Sequence, residues 1–355
     1  MKGLDSPDIL IGTRPVGPNH KPLIIAEVAQ AHDGSLGIAH SYVDAIADAG
    51  ADVAKFQTHI ADAESTQDEE FRTPFSYEDR TRYEYWKRME FLPEQWRDLA
   101  AHARDRGVMF LSSPFSIEAA RLLEAADVRA WKVASGELNN RPLCKYMRAS
   151  GKPVLISTGM FGWAGIDEAV QYFREKGSPV GLFQCTSAYP VKYDQVGLNV
   201  IDEMKRRYKA PVGLSDHSGA VFPSLAALAR GADMVEVHVV FHKEMFGPDA
   251  VASITIEDLC WLVRARDAFW KMRTPVDKDA AADEMETMRS VFGRSLALRT
   301  PGAAGTLLTE DRLTLKKPGT GISYKDIDKV IGRRLRKAVP QDRLLSWSDL
   351  EETVE

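Results

Sequence analysis

Two histidines, two lysines and a set of carboxylates and hydroxyls stand out because each closes a short apolar run. Glu27 ends the run 23–27, and Lys55 with Gln57 closes 52–56. Ser112 with Ser113 closes 108–112, Lys132 with Ser135 closes 130–134, and Ser157 with Thr158 closes Val154–Ser157. Thr186 and Ser187 follow Val180–Cys185, Asp216 and His217 follow 212–215, and Glu236 with His238 belongs to 234–239. Ammonium and hydroxyl groups give charge-assisted hydrogen bonds to phosphate and carboxylate. Imidazoles beside carboxylates suit a divalent cation. Brought to one place, these residues make an anion-binding site with a metal. Each also has a plainer reading. The histidines can be satisfied core residues, and the serines can cap the helices that follow, although a helix N-terminus itself binds phosphate. Cys185 reads as buried packing rather than as a nucleophile. No Walker-type loop is present, so a nucleoside triphosphate is not implied.

Such residues need a scaffold that points successive run ends the same way. The eight apolar runs alternate with stretches of helical period: Leu36–Ala49, 93–106, 117–126, 166–176 and 220–230. Gly50, Gly107, Gly151, Gly177 and Gly231 fall just before the next run, where a left-handed C-cap residue without Cβ is favoured. Near-continuous apolar strands alternating with helices predict parallel pairing, and eight units in about 250 residues is the count of a closed (β/α)8 TIM barrel, in which the strand C-terminal ends form the active-site rim. An open doubly wound sheet competes, but the segment after the first run lacks Gly-x-Gly-x-x-Gly. The predicted fold is α/β: a barrel over residues 1–275, an acid-rich linker over 276–294, and a small mostly-β module over 295–355. In that module short alternations at Leu296–Leu298, 313–315 and 344–345 are broken by Pro318-Gly-Thr-Gly321 and Gly332.

Composition narrows the partners. The chain has 355 residues with a formal net charge of −5, which gives no reason to expect nucleic acid or a membrane surface. No apolar run reaches the roughly 18 residues of a spanning helix, and the first fifteen residues lack a basic then apolar leader. Three widely spaced cysteines without a Cys-x-x-Cys pair argue against a disulfide framework and for a cytoplasmic protein.

Several runs then resemble one family. Ile24-Ile-Ala-Glu-Val-Ala-Gln-Ala-His-Asp-Gly-Ser35, Ala54-Lys-Phe-Gln-Thr58, Phe110-Leu-Ser-Ser-Pro-Phe115, Trp131-Lys-Val-Ala-Ser-Gly-Glu137 and Ile156-Ser-Thr-Gly-Met160 are similar to segments of the sialic acid (N-acetylneuraminate) synthase family. So are Gln184-Cys-Thr-Ser-Ala-Tyr-Pro190, Gly213-Leu-Ser-Asp-His217, Glu236-Val-His238 and Gly247-Pro-Asp249, all in the family's order. Gly293-Arg-Ser295, Leu308-Thr-Glu-Asp311 and Lys317-Pro-Gly-Thr-Gly321 resemble its antifreeze-like, or SAF, domain.

The resemblance implies condensation of phosphoenolpyruvate with a sugar or amino-sugar aldehyde to a sialic-acid-like 2-keto acid. It implies a divalent metal, manganese first and magnesium or cobalt next, held by His217 and His238. Lys55, Lys132, Ser135, Ser157 and Ser187 become the phosphoenolpyruvate cradle, with Gly136 and Gly159 allowing close backbone approach. Glu27, Gln57, Tyr189 and Asp249 become acceptor-holding residues, Ser113 and Phe115 further substrate contacts, and Glu137 and Glu236 proton carriers. It also implies a domain-swapped homodimer in which Lys317 serves the partner's site. The chain departs from the family pattern at Ala31 and Asp33, at Val237, Val239 and Val240, at Ser187 and at Lys317; the resemblance then implies retained metal and phosphate machinery with an altered acceptor pocket. A deoxy-octulosonate-type condensing barrel or a catalytically silent sugar-acid binder are the alternatives, and the SAF-like tail speaks against the first.

Overall fold

Eight parallel strands form one sheet in the computed structural model, which describes residues 8–71 and 74–352. They are β1 (Leu23–Ala29), β2 (Val53–Thr58), β3 (Met109–Pro114), β4 (Trp131–Val133), β5 (Val154–Ser157), β6 (Val180–Cys185), β7 (Val212–Asp216) and β8 (Met234–Val240). The order around the sheet is β3-β2-β1-β8-β7-β6-β5-β4, and β3 and β4 lie side by side at the seam. The predicted TIM barrel is therefore the observed one. The five glycines expected to stop helices all have left-handed φ, from 68° at Gly151 to 88° at Gly231. The helix Leu36–Ala49 shows both ends of the logic. Ser35 accepts from the Ile38 amide at its start, and Gly50 closes it at φ 78°.

Side chains alternate across each strand, so one set packs outward under the helices and the other fills the barrel. The outward set (Ile24, Ala26, Ala54, Phe56, Ile156, Val235 and Val237 among others) joins the helices in the main core. The inward set is apolar low in the barrel, where Leu23, Ile25, Val53, Leu111, Leu155, Phe183 and Met234 form a separate cluster. A hairpin of Ile9–Ile11 and Arg14–Val16, which the sequence reading did not anticipate, adds Ile9, Ile11 and Val16 to that cluster and closes the barrel floor. Two residues further along the same strands the inward positions become Glu27, Lys55, Ser113, Ser157, Cys185 and Glu236. The barrel is oily below and charged above, so the chemistry is confined to the C-terminal rim.

The chain divides into two compact units, 1–273 and 274–355. The acid-rich stretch read as a linker carries two short helices, Lys278–Asp283 and Glu286–Phe292. In the second unit Ser295–Leu298 pairs antiparallel with Leu313–Lys316, around a core that includes Leu296, Leu308, Val330, Leu335 and Leu345. The leader reading fell partly on residues 1–7, outside the described residues. No helix among the described residues is long and apolar enough to cross a membrane.

Candidate active site

A cavity of about 730 Å³ opens at the rim. Every side chain given a substrate, metal or proton role in the sequence lines it except Glu137 and Lys317, whereas Ser112, Thr158, Gly159, Thr186 and Asp216 do not reach it. Strand register explains the gathering. Glu27 stands beside Lys55 on one side and His238 on the other, Gln57 beside Ser113, and Glu236 beside Ser215. Lys55 forms an ion pair with Glu27 and lies 3.8 Å from Glu236 Oε1. Lys132 donates to Ser157 Oγ at 2.6 Å and sits 3.4 Å from the same Glu236 oxygen, while Ser215 donates to it at 3.1 Å. Glu236 Oε2 has no partner among the described residues.

Burial and charge set the protonation. Burial pushes the Lys55 ammonium down to about 7, with Glu236 resisting. Burial works against the Glu236 carboxylate, but Lys132, Lys55 and the two imidazoles outweigh it and keep it ionised. The rim is thus a box of buried, alternating charge, suited to an anion that offers several oxygens. Around it Ser135 Oγ accepts from the Gly159 amide at 3.1 Å. A Cβ on Gly159 would lie 2.5 Å from Ser187 Oγ, so only glycine fits there; at Gly136 a Cβ would meet nothing within 4 Å. Gly136 lines the cavity, whereas Gly159 packs behind it against Ser187 and Cys185.

His217 and His238 face each other with ring centroids 5.3 Å apart. His217 Nδ1 lies 3.2 Å from the Thr186 carbonyl, an acceptor only, so Nδ1 carries the proton and Nε2, 3.2 Å from the Tyr189 hydroxyl, keeps its lone pair. Burial lowers His217 to about 4 and lowers His238 well below its ordinary value. His238 Nδ1 is buried and orphaned, with Asp249 Oδ2 3.9 Å away. Two neutral imidazoles with an unused ring nitrogen and a carboxylate nearby fit a borderline divalent ion. No three His, Cys, Asp or Glu side chains converge as a metal set among the described residues. An ion here would therefore take its other ligands from water and substrate.

Glu137 stands just outside the lining, in a short helical turn after β4. Burial raises its carboxyl, the Asn140 amide, donating at 2.8 Å, lowers it, and Glu64 raises it. Lys317 belongs to the second unit, where its ammonium lies 5.3 Å from the Phe292 ring centre. The sequence reading missed one wall entirely: Phe71, Phe75, Arg82, Tyr85 and Trp86 line the cavity from the β2–β3 connection. Behind that wall the His59 ring stacks between Trp86 (3.7 Å) and Phe115 (4.2 Å). Its nitrogens lie 2.5 Å from Glu64 Oε1 and 3.3 Å from Gln57 Oε1, bracing Gln57 from the rear. The available signal was the helix Arg82–Met89, whose Thr81 cap and paired aromatics mark an ordered insertion at the rim. Gln30 was also missed.

A closed parallel barrel whose rim combines buried lysines, carboxylates and two neutral imidazoles around one cavity is a TIM-barrel enzyme acting on an anionic substrate. Residues 42–278 match the NeuB family and residues 293–351 the SAF domain. The chain belongs to the NeuB family. It is 31% identical to N,N'-diacetyllegionaminic acid synthase of Legionella pneumophila, over 96% of this chain and 98% of that one. It is 30% identical to the enzyme of the same name from Campylobacter jejuni, over 92% of this chain and 99% of that one. The crystal structure of N-acetylneuraminic acid (sialic acid) synthetase from Leptospira borgpetersenii superposes with a TM-score of 0.70 at 27% identity, covering 80% of this chain and 96% of that one.

Proposed function

We propose that the chain condenses phosphoenolpyruvate with a sugar or amino-sugar aldehyde, giving a sialic-acid-like 2-keto acid and phosphate. The observation that carries this is the buried Lys55–Glu236–Lys132 arrangement at the rim of a NeuB-family barrel. Lys132, Ser157 and Ser135, the last braced by the Gly159 amide, hold the donor's anionic groups, with Ser187 beside them. Gln57, Glu27, Tyr189 and Asp249 take the acceptor hydroxyls, and Ser113 and Phe115 complete the lining. Donor C3 bonds to the aldehyde carbon, whose oxygen gains a proton. Water adds to C2, one of its protons passing by way of Glu236 or Glu137 to that aldehyde oxygen, and the C2–O bond then breaks with its electron pair leaving on phosphate, which takes the proton of the new C2 hydroxyl as the ketone forms. Excluding bulk water from the rim makes each fixed charge act strongly. His217 and His238 would hold a divalent ion, manganese before magnesium or cobalt, which supplies Lewis-acid polarisation of a carbonyl when bound.

We place the protein in a reducing, cytoplasmic compartment, consistent with its three free cysteines. On the family resemblance we propose a two-fold dimer in which Lys317 of one chain serves the barrel of the other. The test is phosphate release from phosphoenolpyruvate across a panel of hexose, hexosamine and deoxy-aminohexose aldehydes, with and without chelator. Aldehyde-dependent release that chelator abolishes and manganese restores is expected. No release with any aldehyde overturns the condensation, and full activity in excess chelator overturns the metal.

A further inference from the structure

Polar atoms buried without a partner are rare in folded proteins, and each needs a reason. Among the described residues there are six: both amide atoms of Gln30, Glu236 Oε2, His238 Nδ1, His32 Nε2 and Ser178 Oγ. The first four belong to three residues that line the rim cavity, and His32 and Ser178 do not line it. The orphans therefore cluster where a substrate belongs. Glu236 and His238 have roles in the chemistry proposed above; Gln30 has none.

The backbone has been bent to put Gln30 there. In a regular strand Glu27 would point into the barrel, Val28 out, Ala29 in and Gln30 out. Val28 does pack outward under the helices. Between Glu27 and Ala29, however, the register with β2 slips, and Ala29 adopts φ 47°, a left-handed conformation that alanine seldom takes. The Ala29 amide is held there by Glu27 Oε1 at 3.1 Å. A bulge of this kind reverses the alternation and re-aims the next side chain. Ala31 packs toward the outer core, and Gln30, only 4% exposed, lines the cavity instead.

We propose that Gln30 is a specificity-determining residue for the acceptor, its amide pairing with two neighbouring hydroxyls of the sugar aldehyde. A carboxamide edge presents one N–H donor and one carbonyl acceptor side by side. Phosphate and ionised carboxylate offer acceptors alone, so either would satisfy the N–H and repel the carbonyl. An ammonium group fails in the opposite way. Adjacent hydroxyls, each able to donate and to accept, satisfy both atoms at once. The proposal rests on the condensing reading of the same cavity, and it assigns Gln30 to the acceptor rather than to phosphoenolpyruvate.

The test is Gln30→Met, which keeps length and removes both polar atoms. Three measurements on the full chain are needed: the melting temperature without ligand, phosphoenolpyruvate affinity by calorimetry, and binding and KM for N-acetylmannosamine, mannose and their monodeoxy derivatives. The expected result is a melting temperature unchanged or higher, donor affinity within twofold, and an aldehyde KM raised tenfold or more with a smaller change in kcat. The KM penalty should shrink for either monodeoxy aldehyde lacking one of the two hydroxyls, and stay at full size for a monodeoxy aldehyde altered elsewhere. A lower melting temperature would show that the amide is paired within the fold, and unchanged aldehyde binding alongside normal wild-type turnover would overturn Gln30 while leaving the condensation standing. If the wild type releases no phosphate with any aldehyde, the condensing reading falls, and direct sugar binding still decides whether Gln30 reads hydroxyls.

Discussion

Asp349 in the second unit and Glu236 in the barrel are both carboxylates withdrawn from water, at 0% and 4% exposure. Their surroundings differ. Asp349 Oδ1 takes Arg343 at 2.8 Å and Lys337 at 3.2 Å, and Oδ2 takes the Ser346 amide at 2.8 Å and hydroxyl at 2.9 Å. Glu236 has every contact on one oxygen and none on the other. Burying a charge is costly unless its hydrogen-bonding capacity is filled. A filled network fixes one conformation, whereas a half-filled one persists because the rest of the barrel forces it, leaving valence for a ligand. Saturation of the buried carboxylate thus separates a closed structural network from one with valence left for a ligand within the same chain.

The largest effect is expected where saturation is complete. Asp349→Asn keeps the shape and removes the charge that four donors share, so the second unit should lose about 3 kcal/mol, the upper range for a charged hydrogen bond. Hydrogen exchange of amides in 293–351 reads it. Acid gives the matching titration. Burial opposes the Asp349 carboxylate, but Arg343, Ser346 and Lys337 hold its carboxyl well below the ordinary range. A depressed carboxyl contributes stability that is fully present above its unfolded value and lost as pH falls toward the folded one. Protection should therefore decline on acidification in the wild type and much less steeply in Asp349→Asn. Equal slopes would mean that Asp349 does not anchor this unit.

In the barrel the matching change should affect binding rather than stability. Lys132→Met removes an ammonium that contacts Ser157 and Glu236, and Glu236 still faces Lys55. Phosphoenolpyruvate affinity should fall by roughly 2 kcal/mol, near thirtyfold, with a melting temperature close to that of the wild type. A calorimetric titration with unchanged affinity would remove Lys132 from the donor site. A large loss of stability instead would mean that this network, too, is structural.

How far this contrast was readable in the sequence follows from periodicity. Lys55 with Gln57 and Glu236 with His238 sit two residues apart on strands whose apolar neighbours betray them, so alternation alone sends each pair to one face. Leu36–Ala49 was legible to the residue because Ser35 and Gly50 bracket it. Gln30 was not, because a one-residue bulge reverses parity and no residue type announces it; Ala29 holds a conformation usually left to glycine. The floor hairpin escaped because each of its strands has three residues, too few for a period. The aromatic wall escaped because its side chains come from an insertion rather than a barrel strand. Helix 166–176 was placed late because its true start, at Trp163, has Gly162 as a cap with no side chain to signal it. In the second unit Leu344 forms only an isolated bridge with Ala297, where a strand was expected.

The smallest effect concerns Glu137, which lies between the two extremes: half-buried and outside the cavity lining, with one donor on one oxygen. If Glu137 accepts the proton from attacking water, its ionised form is the active one, and activity rises with pH through its carboxyl. Burial already places that carboxyl above the usual glutamate range, and the Asn140 amide pulls it partway back by favouring the charged form. Removing that donor should therefore move the acid limb of the kcat profile to higher pH. Asn140 also caps the helix Arg141–Ala149 by accepting from the Leu143 amide at 3.2 Å. The substitution must keep the cap and lose the amide, and Asn140→Ser does both. The plateau rate and melting temperature should stay near wild type while the acid limb alone shifts, and Glu137→Gln should abolish the limb together with most of the turnover. A limb that stays in place in Asn140→Ser assigns the proton to Glu236, which lines the cavity and has one oxygen without a partner among the described residues.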